Sequence, residues 1–78
     1  MVTDQNDPMS NVTYRAAVQA ANRLNVRLTA WREGRMWAVR ADYADGIRAA
    51  ITTTGRTAAD AAWHALAAVK AAADAAHD

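Results

Sequence analysis

The chain has no cysteine and no phenylalanine, and only one proline, one serine, one glutamate and one lysine in 78 residues. Without cysteine there is neither a disulfide framework nor a thiolate metal site. Without phenylalanine, core filling falls to Trp37, Trp63 and the few Leu, Ile and Val side chains. The lone Ser10 sits at a predicted helix start and the lone Glu33 in a predicted turn, so no Ser/His/Asp set is suggested. His64 and His77 are thirteen residues apart on one predicted helix, which is not the i, i+4 spacing of a shared metal. A phosphate-binding loop needs several glycines before a helix, and Gly55-Arg56-Thr57 has one. No apolar run approaches the roughly 20 residues that span a bilayer. The polar, acidic N-terminal stretch is the reverse of a secretion signal. These absences lead to an expectation of a cytoplasmic protein with no catalytic activity, no cofactor, no metal and no membrane.

What is abundant is alanine, at 22 of 78 residues, and arginine, eight against one lysine. That combination is the signature of a GC-rich genome, bacterial, actinobacterial or phage. It also means that large apolar side chains are scarce, so a core of this size is marginal by itself. A homodimer is one way to complete it. The net charge of +1 hides a segregation. Residues 1–9 carry Asp4 and Asp7, residues 10–56 have a balance of +5, and the last helix has a balance of −2. A basic middle portion suits an anionic partner.

Residues 1–9, with Pro8 and no periodicity, read as a disordered tail, and residues 10–78 as one domain. A first helix is predicted from about Asn11 or Val12 to Asn25, capped by Ser10 or Asn11. Tyr14, Ala17, Val18, Ala21 and Leu24 share its apolar face, with Arg15, Gln19 and Arg23 opposite. A last helix is predicted from Thr57 to about His77. Thr57 is a good N-cap with Asp60 three residues on, and Ala62, Trp63, Leu66, Val69 and Ala73 form its apolar stripe. Asp60 and His64, four residues apart, read as a surface pair.

Between the helices, three strands are predicted over 26–33, 35–43 and 47–54 by their alternation. A Glu33-Gly34 loop sets Ala30 opposite Trp37, Leu28 opposite Val39 and Arg27 opposite Arg40. A three-residue loop, Ala44-Asp45-Gly46, sets Tyr43 opposite Ile47, Val39 opposite Ile51 and Asp42 opposite Arg48. The expected fold is therefore α+β, in the order α-β-β-β-α. It is a three-stranded antiparallel meander with both helices packed on its apolar face. The other face would present Arg27, Trp31, Arg40 and Arg48, with Arg32 and Arg35 at the hairpin tip, as the candidate partner-binding surface. An ordinary solvated face, with Trp31 folded over its neighbours, is the alternative.

The order α-β-β-β-α over residues 11–77 resembles the double-stranded-RNA-binding domain fold. The segment Gly55-Arg56-Thr57, with Ala61 and Ala65 behind it, is similar to that family's glycine-led approach to its last helix. The family's phosphate-gripping lysines would fall on Ala58, Ala59 and Ala62, and the short Arg32-Glu33-Gly34-Arg35 hairpin lacks its minor-groove loop. The pattern from Gly55 to Ala65 also looks like the strand-to-helix step of HicB-type antitoxins. In type, without a shared motif, the chain resembles the small phage proteins that block host defences, anti-CRISPR proteins among them. These resemblances imply a non-enzymatic inhibitor that occupies a surface of a protein or nucleoprotein assembly. The other reading is a nucleic-acid-binding domain using the first helix and the outer sheet face.

Overall fold

A computed structural model describes residues 12–76. The tail 1–9, both proposed caps of the first helix (Ser10 and Asn11) and His77 lie outside the described residues. Helix α1 spans Val12–Arg23, strands β1, β2 and β3 span Val26–Glu33, Met36–Tyr43 and Ile51–Gly55, and helix α2 spans Ala58–Ala76. The sheet is antiparallel in the order β1-β2-β3. Both helices pack on one face, α1 against β1 and α2, and α2 across β2 and β3. The expected α-β-β-β-α meander is the fold.

Helix α1 stops two residues short of the expected Asn25. Asn25 takes a left-handed φ of 61°, a conformation Asn tolerates better than most residues, and its N–H bonds to the Asn22 carbonyl at 3.2 Å. Its own carbonyl then accepts the Ala44 N–H at 2.9 Å, so the residue that ends the helix also begins the ladder to β2. Tyr14, Ala17 and Ala21 are buried on the expected face. Burial raises the Tyr14 phenol above its ordinary value of 10.0.

Among the described residues, eight of the fourteen in the buried core are alanines, and the largest side chain that is fully buried is Val39. A core of small side chains requires close backbones, and the closest approach is at Gly55. A Cβ there would lie 2.6 Å from the Ala61 nitrogen and 2.8 Å from the Asp60 Cβ. The first turn of α2 is tied to the same strand. Thr57 caps it, its Oγ1 accepting the Asp60 N–H at 3.0 Å. The Thr53 hydroxyl donates to the Ala61 carbonyl at 2.6 Å. His64 donates from Nδ1 to the Thr54 carbonyl at 2.9 Å, so it does not pair with Asp60 as expected. Because β3 is an edge strand, His64 also occupies one of its carbonyls, which would otherwise be free to recruit another chain.

This contact corrects the predicted stripe of α2. The buried positions are Ala58, Ala59, Ala61, Ala62, Ala65, Leu66 and Val69, while Trp63 is 40 % exposed and Ala73 is exposed. With Ala61 pressed against Gly55, the sheet-facing side of the helix has room for methyl groups and none for an indole.

Both hairpin registers differ from expectation by two residues. The first turn is Gly34-Arg35, with Glu33 opposite Met36. Glycine in the first central position, at φ 63°, supplies the one positive φ that a type II′ turn needs. A Glu33-Gly34 turn of type I′ would force glutamate into that region as well. Arg27 therefore faces Asp42 and Arg40 faces Thr29, which removes the unfavourable Arg27–Arg40 pairing. In the second hairpin, Ala41 pairs with Ile51 and Val39 with Thr53, and β3 begins at Ile51 instead of Ile47. The Asp45 carboxylate accepts the N–H groups of Ile47 and Arg48, at 2.9 and 3.3 Å, which a strand starting there would have needed. Ile47 is left 87 % exposed.

Gly55→Ala should lower stability by about 2 kcal/mol through overpacking, seen as a fall in thermal midpoint of roughly 10 °C. Gly34→Ala meets nothing within 4 Å, so only the backbone conformation is penalised. Its cost should be smaller, about 1 kcal/mol. Thermal melts followed by circular dichroism would compare the two.

Candidate partner-binding surface

Alternation along the strands sends one set of side chains toward the helices and the other away from them. The outward set forms four cross-strand rows: Glu33 with Met36; Trp31 with Ala38 and Thr54; Thr29 with Arg40 and Thr52; Arg27 with Asp42. Neither helix covers this face. Even so, Ala38 is only 2 % exposed, and its cross-strand neighbours are Trp31 and Thr54. The Trp31 indole thus lies low across the middle of the sheet, half-buried, and its Nε1–H donates to Glu33 Oε1 at 2.6 Å. The Arg40 guanidinium pairs through Nε with Asp42 Oδ1 at 2.9 Å, both side chains being well exposed. Met36, across from Glu33 at the other end of the face, is 39 % exposed.

The face is not basic. Arg27 and Arg40 are balanced by Asp42, which pairs with Arg40 and stands opposite Arg27, and by Glu33 beside Trp31. The structure brings Arg27, Trp31 and Arg40 together. It does not bring Arg32, Arg35 or Arg48 to them. Arg32 belongs to the helix-side set and lies 5.8 Å over the Trp37 ring. Arg35 is in the first turn. Arg48 is outside β3, in the connection 44–50, where it lies 4.0 Å over the Tyr43 ring and pairs through Nε with Asp45 at 2.9 Å. The expected Asp42–Arg48 opposition therefore does not occur.

Sequence reasoning had Asp42 and the threonines on this face but left Glu33 in the turn, and so missed the second carboxylate. It was available from the same alternation, since Glu33 shares the parity of Arg27 and Trp31 along β1. On α1, Arg15 and Gln19 are exposed and border a shallow depression with Val12 and Ala16. Among the described residues no three His, Asp or Glu side chains gather in a way that could hold a metal ion. No helix among them is long and apolar enough to cross a membrane. No protein-family model, curated protein or solved structure matches this chain.

The Asp45 carboxyl is held below its ordinary value of 3.8, first by the Ile47 amide and then by the amide and guanidinium of Arg48. A carboxyl depressed in the folded state contributes stability above its unfolded value and loses it as pH falls through the folded one. Asp45→Asn keeps an oxygen for the two amides and removes the charge facing Arg48. Urea midpoints of the two proteins should differ near neutral pH and converge as the pH falls from about 5 to about 2.

Proposed function

We propose that this protein is a non-enzymatic protein-binding module whose outer sheet face, centred on Trp31 with Arg27 and Arg40, occupies a surface of a larger assembly. The observation that carries this reading is the charge balance around a half-buried indole on an uncovered sheet. Binding to a phosphate backbone is driven by uncompensated cations that release counterions. A face in which each arginine has a carboxylate beside or opposite it lacks that drive. It suits a protein partner, whose recognition relies on a few aromatic and arginine anchors within a mixed polar rim.

The departures from the double-stranded-RNA-binding pattern favour the same reading. The positions where that family carries its phosphate-gripping lysines are Ala58, Ala59 and Ala62, all buried here. The module fits the type of small phage inhibitors of host defence, acting in the cytoplasm on a protein or nucleoprotein complex.

The test is binding of the purified protein to duplex RNA, duplex DNA and single strands across a salt series, alongside affinity capture of a partner from a bacterial host. No salt-sensitive nucleic-acid binding is expected. Trp31→Ala should weaken the captured partner by tenfold or more, about 1.4 kcal/mol or above. Arg27→Ala with Arg40→Ala should also weaken capture while leaving the thermal midpoint nearly unchanged, since exposed ion pairs contribute about 0–1 kcal/mol. Nucleic-acid affinity that falls steeply with salt and is lost in the double variant would replace this reading with the nucleic-acid one.

A further inference from the structure

On the helical side of the molecule, a surface groove of about 430 Å³ runs between α1 and α2. The buried Leu66 lines it, together with Leu24, just after α1, and Trp63 on α2, which are 39 % and 40 % exposed. Leu24 and Trp63 are large apolar residues that helical periodicity assigns to the core and that the fold leaves at the surface. Arg23 and Lys70 also line the groove. Among the described residues neither has a carboxylate within 4.0 Å, although Asp74 is one turn beyond Lys70. Arg23 sits in the last turn of α1, where a cation complements the helix dipole. Lys70, in the body of α2, has no such local role.

On α2, Trp63, Leu66, Ala67 and Lys70 stand at i, i+3, i+4 and i+7, spread over roughly 10 Å of helix axis. That is two turns of a helix lying alongside. Ala20 and Ala67 add little bulk, so the axis of a third helix could approach to the usual 8–10 Å, about as close as packed helices come. Beyond Val69, the last buried residue, α2 stays exposed from Lys70 through Ala75, which extends the open track.

We propose that this groove docks an amphipathic helix of a partner protein. Its apolar anchors repeat at i, i+3 or i+4 and i+7, and its flanks carry Glu or Asp facing Arg23 and Lys70. The apolar walls supply burial for the anchors, and the two cations, unpaired among the described residues, select the sign of the flanking charge. This surface is separate from the outer sheet face and does not depend on the reading given for that face.

The probe is a fluorescein-labelled peptide of about 18 residues, with leucines at the anchor spacing and glutamates on both flanks. A control peptide has lysine in place of each glutamate. Titrated with the full chain, the Glu peptide should bind about tenfold or more tighter than the Lys peptide. Arg23→Glu with Lys70→Glu should reverse that order. Trp63→Ala, a change that favours helix, should weaken the Glu peptide by about tenfold. Amide and indole NMR shifts should move at Trp63 and Leu24, and Arg27→Ala with Arg40→Ala should leave the affinity unchanged. Equal affinity for the two peptides, no reversal in the charge-swapped variant, or shifts confined to the outer sheet face would overturn the proposal. So would the absence of peptide binding while dodecanoate moves the Trp63 signal, which would make the groove a small-anion site.

Discussion

The structure depends on one close approach, the backbone of Gly55 against the first turn of α2 at Asp60 and Ala61. No side chain other than hydrogen fits between them. The neighbouring polar groups hold the same junction: Thr57 caps the helix, Thr53 bonds its Ala61 carbonyl, and His64 reaches back to the edge of β3. Hydrogen bonds and steric exclusion thus act at one point, and the helix has little freedom to roll.

That constraint accounts for the buried alanines of α2, namely Ala58, Ala59, Ala61, Ala62 and Ala65. Helix propensity accounts for the exposed ones, Ala67, Ala71, Ala72, Ala73 and Ala75. A helix held this close buries many methyl groups and few large side chains. The large side chains that cannot fit, Trp63 on α2 and Leu24 after α1, are displaced to the groove between the helices. The core is dense and shallow, and the apolar surface it excludes becomes available for recognition.

The two faces of the molecule consequently differ in chemistry. The sheet side presents a low indole among paired charges and threonines. The helical side presents an apolar groove flanked by Arg23 and Lys70, neither ion-paired among the described residues. A surface of matched charges discriminates by shape and hydrogen bonding, whereas unpaired cations discriminate by the sign of what approaches.

Much of this was legible from the residues in order. Period 3.6 in two segments, alternation in three, the Thr57 cap and the Gly34 and Gly46 turns determined the element types, their sequence and which strand face is apolar. Those signals are local, and local geometry produces them. The register was not determined, because a slip of two residues preserves every inward and outward assignment that alternation can report. Only the tertiary structure decided it, through the positive φ of Gly34 and the capture of the Ile47 and Arg48 amides by Asp45. The tertiary structure also decided that Arg27 faces a carboxylate and that Arg48 leaves the site. It decided which side of α2 is buried as well. An alanine-rich helix has weak preferences around its circumference, and the distance of closest approach at Gly55 selects among them.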